Sequence, residues 1–289
     1  MSELEGKVCI VTGSNSGIGK ETATALSQMG ATVIMAVRNL ERGETAKEEI
    51  VTHCINPKIE CMTLDLLSNE SIKAFAREFQ SRYGRLDVLV NNAGAAFHKR
   101  GISADGFEKT LAVNFLGPFL LTHELLPLLK SSAPSRIINL SSGLHSSGQI
   151  DLDDLQSERR YNGMQAYRNA KLIILLYTYE LARRLEGTGV TANAVQPGFA
   201  ATNLMTNMGA FRYRVMDKMV RRFQISAKEG AKTPAYVASS PELAGVNGKY
   251  FDKKEIAQSS EASYDRELQQ RLWKVAEEML GIKEDESIG

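Results

Sequence analysis

Short runs of apolar residues alternate along the chain with longer segments in which apolar residues recur at helical spacing. The near-continuous Val, Ile and Leu content of the short runs is typical of parallel strands buried on both faces. These runs predict strands at 7–12, 32–37, 59–64, 87–92, 135–141 and 191–196. The amphipathic segments predict helices at 17–29, 40–54, 68–83, 107–130 and 164–185. Such alternation indicates right-handed crossovers and an α/β fold, a doubly wound parallel sheet of the Rossmann type.

No repeat, low-complexity tract or linker interrupts this series, so we expect a single domain over residues 1–289. Stop signals support the predicted helix ends, because Gly30, Pro57 and Gly84 follow the first three helices. A further amphipathic segment predicts a C-terminal helix near 260–280, followed by a loose polar tail, KEDESIG.

The composition is that of an ordinary globular protein and narrows the function mainly by exclusion. With 43% hydrophobic residues, 24% charged residues and a net charge of +1, the chain shows no global preference for nucleic acid or anionic membranes. The N-terminus, MSELEGK, is polar, and the most apolar stretches are too short or too interrupted for an integral membrane segment. The cysteines form no C-x-x-C pair, which suits a reducing, cytoplasmic location, and the histidines show no metal-ligand spacing.

A glycine-rich stretch, VTGSNSGIGKET at 11–22, joins the first predicted strand to the first predicted helix. Its spacing fits neither the P-loop pattern, which also needs a hydroxyl residue after its lysine, nor G-x-G-x-x-G. Its position is where a doubly wound sheet binds a dinucleotide. Gly13 allows a tight turn, while Gly17 and Gly19 leave room for a pyrophosphate at the helix N-terminus. We therefore favour a dinucleotide site over glycines that merely end a strand.

The second predicted strand indicates which dinucleotide is bound. It ends in Arg38 and carries no carboxylate. A carboxylate at this position would favour NAD, because it would bond the ribose hydroxyl. A guanidinium there can hold the 2′-phosphate of NADP, so NADP(H) is the expected cofactor. The alternative is a solvated arginine that pairs with Glu41 or Glu44. Asp65, just after the third strand, is placed either to bond an adenine amino group or to cap the next turn.

Tyr167 and Lys171 are four residues apart on a predicted helix and therefore share one face. An ammonium about 4 Å from the phenol should lower the tyrosine pKa by up to about three units, which makes it a usable proton donor to a carbonyl. The preceding strand ends in Ser141 and Ser142, either of which can bond the substrate oxygen at the same sheet edge. Asn114 is a polar residue in an apolar helix, and spacing leaves it open between a site residue and a satisfied core amide.

Several motifs, in order and on the expected elements, resemble those of the short-chain dehydrogenase/reductase family. They are TGSNSGIG at 12–19, NNAG at 91–94, YRNAK at 167–171 and PGFAAT at 197–202, and the likeness extends over roughly 7–252. The first fits the family's TGxxxGxG loop, which explains why the other glycine spacings fail. The resemblance implies that Tyr167 is the proton donor and that Ser142 orients the substrate oxygen. It also implies that Lys171 contacts the nicotinamide ribose and lowers the tyrosine pKa, and that Asn114 holds Lys171 through a bound water.

The resemblance further implies which residues contact the cofactor. The glycine loop, the ends of the second to fourth strands and the PGxxxT stretch should all take part. Beside Tyr167 and Lys171, the expected residues are Gly13, Ser14, Asn15, Ser16, Gly17, Ile18, Gly19, Arg38, Asp65, Leu66, Asn92, Ala93, Gly94, Pro197, Gly198, Phe199 and Thr202.

Within this family the chain is most similar to the retinol-dehydrogenase branch. The cues are GIGKETA, RNLERGE, the long insertion before the tyrosine, GKYF and RLWKVAEEMLG. That branch mostly uses NADP(H), in agreement with Arg38. Two departures are present: many members have a hydrophobic N-terminal anchor where this chain begins almost at its first strand, and Ala170 stands where serine is usual. The first departure argues against a membrane-retinoid role.

The segment 203–223 occupies the place of the family's helical substrate lid. Its adaptable apolar side chains can pack in a core, but at this location we expect them to line a hydrophobic pocket. They are Met205, Met208, Phe211, Met216 and Met219. The expected substrate is therefore a small apolar aldehyde, ketone or alcohol.

Other expectations concern partners and alternative functions. His98 and His145 follow motifs at the rim of the cleft, where either can contact a substrate, and we favour exposed loop residues over that alternative. Family habit suggests a homo-oligomer formed through the helices at 107–130 and 164–185, or a monomer in this branch. The functional alternatives are a catalytically idle NADP(H)-binding sensor or scaffold and a P-loop phosphotransferase.

Overall fold

The computed structural model describes residues 3–55, 57–198, 225–283 and 288. Its central element is one eight-stranded sheet with the strand order β3-β2-β1-β4-β5-β6-β7-β8. The strands are β1 Val8–Thr12, β2 Thr32–Val37, β3 Lys58–Thr63, β4 Val88–Asn91, β5 Ser135–Leu140, β6 Val190–Gln196, β7 Tyr250–Asp252 and β8 Glu255–Ala257. The six predicted strands are confirmed, each to within one residue at either end.

The sheet is parallel except at one edge, where β8 runs antiparallel to β7. This edge hairpin was not predicted. Its strands are three residues long, too short to show a period, and its turn has no Asn-Gly or Asp-Gly pair. Lys253 and Lys254 instead take the positive φ angles, 49° and 70°, that such a tight turn requires.

Helices cover both faces of the sheet and confirm the doubly wound arrangement. The helices are α1 Gly17–Gln28, α2 Leu40–Val51, α3 Asn69–Arg82, α4 Lys109–Leu111, α5 Gly117–Ser131, α6 Gly163–Arg184, α7 Ala227–Ser239 and α8 Arg266–Leu280. One hydrophobic core joins α3, α5, α6 and α8 to the sheet, and a second joins α1, α2 and α7 to its opposite face. A π-helical stretch, Ala112–Leu116, joins α4 to α5 and was not predicted.

The topological switch point of the sheet lies between β1 and β4. From β1 the chain adds β2 and β3 on one side, and it then returns to add β4 on the other side. A crevice opens at the carboxyl ends of the strands where the order reverses in this way. The hydroxyl of Thr12 ties the two loops at this point, because it accepts hydrogen bonds from the backbone N–H groups of Asn92 (3.0 Å) and Ala93 (2.9 Å).

The C-terminal helix α8 covers part of the surface formed by α5 and α6. The Trp273 ring lies 4.7 Å from the ring of Phe119 and 5.8 Å from that of Tyr177, between ring centres. The Arg184 guanidinium lies 4.4 Å from the centre of the same indole ring. The helices expected to pair two chains are thus partly covered within one chain, and the oligomeric state stays a prediction.

In the described part of the chain, one helix, Lys109–Ser131, is long and apolar enough to cross a membrane by length and composition. Most of its apolar window, 72%, is buried inside the fold, as in the core helix of a globular protein. The location of the protein in the cell stays a prediction.

Candidate active site

A groove of about 350 Å³ lies at the carboxyl ends of the strands, beside the switch point. The glycine loop forms one end, and Tyr167 and Lys171 of α6 lie in the same groove. Most of the residues predicted to form the site line it: Gly13, Asn15, Ser16, Gly17, Ile18, Gly19, Arg38, Asp65, Leu66, Asn92, Ala93, Gly94, Tyr167, Lys171 and Pro197.

Several lining residues were not among the predicted site residues. They are Asn39, Arg42, Leu64, Ala95, Val113, Leu140 and Ser141. All but Arg42 and Leu140 are direct chain neighbours of a predicted residue, and Leu140 precedes Ser141, which was the alternative to Ser142. Arg42 lies in the first turn of the helix that follows, and a second basic residue so close to the strand end was the signal that could have identified it.

The glycine loop packs so closely on the loop after β4 that side chains are excluded. Gly13 and Gly17 have positive φ angles of 65° and 58°, which glycine adopts without strain. A Cβ on Gly13 would lie 2.9 Å from the Cα of Ala93. A Cβ on Gly19 would clash with the side-chain amide nitrogen of Asn92 and lie 2.6 Å from the carbonyl oxygen of Gly13.

The N-terminus of α1 is suited to hold an anion. Its N-cap residue, Ser16, makes no side-chain capping bond, and no acidic residue lies in its first turn. The first backbone N–H groups and the positive end of the helix dipole are therefore available to a phosphate group. Ser14 does not line the groove, because its side chain is buried and its hydroxyl donates to the carbonyl of Val11 at 2.9 Å.

Two guanidinium groups stand at the end of β2. Arg38 and Arg42 are exposed and line the groove. The Asn39 side chain caps α2 by accepting from the backbone N–H of Arg42 at 2.8 Å, which fixes the start of this helix. The alternative partner Glu44 bonds Lys47 instead. Among the residues that the structure describes, no carboxylate pairs with either guanidinium.

Asp65 takes the capping role that its position left open, and it also lines the groove. Its carboxylate accepts from the backbone N–H of Leu67 at 3.0 Å, so it caps the turn before α3. Contact of this carboxylate with an adenine amino group stays a prediction.

The Tyr167–Lys171 pair of α6 lies buried in the groove wall. The ammonium nitrogen of Lys171 is 5.3 Å from the ring centre of Tyr167 and donates to the carbonyl of Leu140 at 2.9 Å. Only 6% of Tyr167 and 4% of Lys171 are exposed. Helix α6 begins just before this pair, where the Asn162 side chain accepts from two backbone N–H groups.

The expected direction of the tyrosine shift was wrong for this arrangement. Burial raises the pKa of the Tyr167 phenol, and it lowers the pKa of the Lys171 ammonium from 10.5 to about 7. The attraction between phenolate and ammonium is outweighed here by the loss of hydration on burial, which penalises the charged form of each group.

The two adjacent serines are placed differently. The Ser141 hydroxyl is buried and donates to the main-chain carbonyl of Lys171 at 2.8 Å. The Ser142 hydroxyl is half-buried and accepts from the backbone N–H of Leu144 at 3.3 Å, so its own hydrogen is available to a substrate. Ser142 is not among the residues that line the groove, although Ser141 is.

Asn114 lies in the π-helical stretch, behind the groove wall. Its amide nitrogen donates to the carbonyls of Ala95 and Thr110, both at 2.7 Å. Its buried amide oxygen has no hydrogen-bond partner among the described residues. A Cβ on Gly94 would lie 2.7 Å from this oxygen and 3.5 Å from the ammonium of Lys171, so both groups face the same point on Gly94.

Other expectations have mixed outcomes. His98 is exposed, but the expectation for His145 was wrong, because the fold packs the turn after Ser142 against the C-terminal region and leaves His145 only 5% exposed. Gly198 is described and does not line the groove. Phe199, Thr202 and the lid segment 203–223 with its methionines lie outside the described residues.

Comparison with known proteins identifies related chains. The family model for short chain dehydrogenases matches residues 7–212. Human retinol dehydrogenase 13 is 43% identical over 286 residues, which cover 97% of this chain and 86% of that protein. Human retinol dehydrogenase 12 is 42% identical over 283 residues, which cover 97% of this chain and 88% of that protein.

Solved structures show the same fold. An uncharacterised protein from Mycobacterium paratuberculosis superposes with a TM-score of 0.78 at 32% identity, covering 96% of this chain and 94% of that one. Pseudomonas aeruginosa RhlG with NADP gives a TM-score of 0.70 at 24% identity, covering 86% of this chain and 94% of that one. A 3-ketoacyl-(acyl-carrier-protein) reductase from Brucella melitensis with NADH gives 0.67 at 24% identity, with coverages of 86% and 97%.

Proposed function

The chain belongs to the short-chain dehydrogenase family, and from this premise we propose that it is an NADP(H)-dependent oxidoreductase that interconverts an apolar aldehyde or ketone with its alcohol. The observation that carries the proposal is that one groove joins Tyr167 and Lys171 to the glycine loop. A proton donor and a dinucleotide site must share one cleft if a carbonyl is to receive a hydride and a proton.

The groove residues fit a phosphorylated dinucleotide. The open N-terminus of α1 would hold its pyrophosphate, while Arg38 and Arg42 would hold the 2′-phosphate. The absence of a carboxylate partner for either guanidinium among the described residues supports NADP(H) over NAD(H). NADP(H), when bound, supplies or accepts the hydride.

The proton is handled by Tyr167. In the reducing direction its phenol gives a proton to the carbonyl oxygen of the substrate, and the oxygen–hydrogen bond of the alcohol forms as that of the phenol breaks. Burial disfavours a lone charge on either Tyr167 or Lys171. A phenolate beside a protonated lysine has no net charge, so uptake of a proton by Lys171 stabilises the phenolate.

Two further side chains would assist this transfer. Ser142 would donate its free hydroxyl hydrogen to the substrate oxygen and orient the carbonyl toward Tyr167. The unpaired amide oxygen of Asn114 would hold a water that also contacts the Lys171 ammonium, through which a proton returns to the pair. The unpaired Asn114 oxygen supports binding of a water, because a buried acceptor without a hydrogen-bond partner is unfavourable.

The surroundings of Tyr167 support an apolar substrate. Its ring packs with Ala96 and is flanked by Leu144 and Met164, two partly buried hydrophobic residues. A polar substrate would lose hydration against these side chains without gaining hydrogen bonds from them. The similar human proteins are retinol dehydrogenases, which agrees with an apolar alcohol or aldehyde as the substrate.

The test is turnover of a panel of apolar aldehydes and ketones, retinal included, with NADPH and NADH compared. We expect NADPH-dependent reduction by the natural protein and a loss of at least about 100-fold in kcat for Tyr167→Phe, with NADPH affinity retained. Tyr177→Phe is the matched control, because Tyr177 is buried on the same helix outside the groove. Equal turnover by Tyr167→Phe would refute the mechanism, and NADPH binding without turnover over the whole panel would favour an idle sensor.

A further inference from the structure

His145 is the third residue after Ser142, and its imidazole is buried inside the fold. It lies in a short 3₁₀ helix, Gly143–Ser147, which begins where β5 and the two serines end. None of the roles assigned to the groove uses this side chain. A buried imidazole must have its ring nitrogens satisfied, so its partners indicate what it does.

One ring nitrogen holds the peptide of Ser142. The Nδ1–H of His145 donates to the carbonyl oxygen of Ser142 at 2.7 Å, and the backbone N–H of His145 donates to the same oxygen at 3.0 Å. The side chain and the main chain of one residue thus fix the carbonyl of the serine. Because the Ser142 hydroxyl makes only a 3.3 Å contact of its own, its direction depends on this fixed backbone.

The other ring nitrogen is held from the C-terminal side of the chain. The backbone N–H of Ser260 donates to Nε2 of His145 at 3.1 Å. Because the partner of Nε2 is an N–H donor and the partner of Nδ1 is a carbonyl acceptor, the ring is a neutral imidazole with its hydrogen on Nδ1. The same region is joined to α6, because the hydroxyls of Tyr179 and Ser259 are 2.7 Å apart.

A third contact packs the His145 ring against Tyr250 of β7. The rings of His145 and Tyr250 form a T-shaped contact, with centres 5.2 Å apart and planes at 71°. The Tyr250 hydroxyl donates to the side-chain oxygen of Gln196 at 2.8 Å, and a Cβ on Gly143 would lie 2.7 Å from that oxygen. The residue after Ser142 is therefore held against β6, while His145 is held against β7.

From these contacts we infer that His145 is a positioning residue for Ser142, and that it sets the direction of the serine hydroxyl through the serine carbonyl. The inference rests on the proposed function, in which Ser142 orients the substrate oxygen. His145 does not itself touch the substrate. Its neutral ring links the C-terminal segment around Ser260 to the turn that carries the serine.

Two substitutions of His145 test the contributions of its two ring nitrogens separately. In His145→Asn the side-chain NH₂ lies where Nδ1 was and can still donate to the Ser142 carbonyl, while the contact with Ser260 is lost. In His145→Gln the longer amide reaches the position of Nε2 and can accept from Ser260, while the bond to Ser142 is lost. We expect His145→Gln to lower kcat about tenfold or more and His145→Asn to lower it no more than about threefold, with NADPH affinity unchanged in both.

A double-mutant cycle with Ser142→Ala shows whether the effect passes through the serine. If His145 acts by aiming the Ser142 hydroxyl, His145→Gln should not lower kcat further in the Ser142→Ala protein. A merely structural role would instead multiply the two losses and would lower kcat similarly in the Asn and Gln variants. Either of those results would overturn the inference.

A spectroscopic measurement keeps this test separate from the test of the proposed function. In protein labelled with ¹⁵N-histidine, we expect the His145 resonances, assigned with the His145→Asn protein, to show a neutral ring with its hydrogen on Nδ1 at pH 7. A hydrogen on Nε2 would overturn the inference whether or not the enzyme turns over. Absence of turnover by the natural protein over the whole carbonyl panel, with the Nδ1–H ring observed, would refute the proposed function and the kinetic role of His145, but not the contact that holds the turn.

Discussion

Replacing Lys171 with methionine should remove activity and change how stability depends on pH. Lys171→Met keeps a long flexible side chain in the same buried place and removes the amino group. It also removes the bond to the Leu140 carbonyl, which should cost on the order of 1 kcal/mol at every pH. The part that changes with pH therefore reports only the buried amino group.

The size of that part follows from the pKa of Lys171, which burial lowers from 10.5 to about 7. Between these values the unfolded chain holds a proton that the folded chain lacks. Stability from this group is therefore complete above pH 10.5 and is lost as the pH falls toward 7, at about 1.36 kcal/mol per pH unit. From pH 9 to pH 7.5 the natural protein should lose about 2 kcal/mol relative to Lys171→Met.

The assay is urea unfolding followed by circular dichroism at both pH values, without cofactor. Lys130→Met is the matched control, because Lys130 is exposed on α5 and the chemical change is the same. For this control the difference from the natural protein should stay within about 0.5 kcal/mol between the two pH values. Turnover measured on the same samples should be lost only in Lys171→Met.

A constant difference between the natural protein and Lys171→Met at the two pH values would refute the reasoning. It would mean that the Lys171 ammonium keeps its ordinary pKa in the fold. The proposal that Lys171 takes up a proton and so stabilises the Tyr167 phenolate would then lose its basis.

Two other predictions concern the cofactor end of the groove. Gly19→Ala should weaken NADPH binding at least about tenfold and lower the free energy of unfolding by about 1–3 kcal/mol, because the new methyl meets the Gly13 carbonyl. Gly84→Ala, where a Cβ would meet nothing within 4 Å, is its control, and equal effects in calorimetry and unfolding would contradict the packing argument. Arg38→Glu should raise the KM for NADPH at least about tenfold more than that for NADH, since the carboxylate repels a 2′-phosphate. Arg77→Glu, an exposed change on α3, is the control, and unchanged cofactor preference in steady-state kinetics would exclude the phosphate contact.

Much of the fold could be predicted because local pattern and tertiary environment agree. A strand of an interior parallel sheet is apolar on both faces, so 32–37 is visible as a continuous apolar run and matches β2 to the residue. The last two strands, β7 and β8, carry no such signature, because each has only three residues. The π-helical stretch at Asn114 also escaped prediction, since its sequence has the same apolar spacing as an α-helix.

The candidate site could be located from the sequence because its residues follow strand ends and helix starts. The carboxyl ends of parallel strands meet at one edge, so Gly13, Arg38, Asp65 and Asn92 had to come together once the strands were known. The state of each side chain could not be obtained in this way. Whether Ser14 faces the groove or the core depends on rotations that chain spacing does not specify.

The sequence by itself determined the order of strands and helices, the glycine loop and the pairing of Tyr167 with Lys171 on one helix face, because these depend on residues close together in the chain. Only the tertiary structure decided the protonation preferences of that pair, the free hydroxyl of Ser142 and the burial of His145. Each of these depends on how much water and which distant groups surround a side chain. His145, for example, meets Tyr250 of β7 and the backbone of Ser260, each more than 100 residues away along the chain.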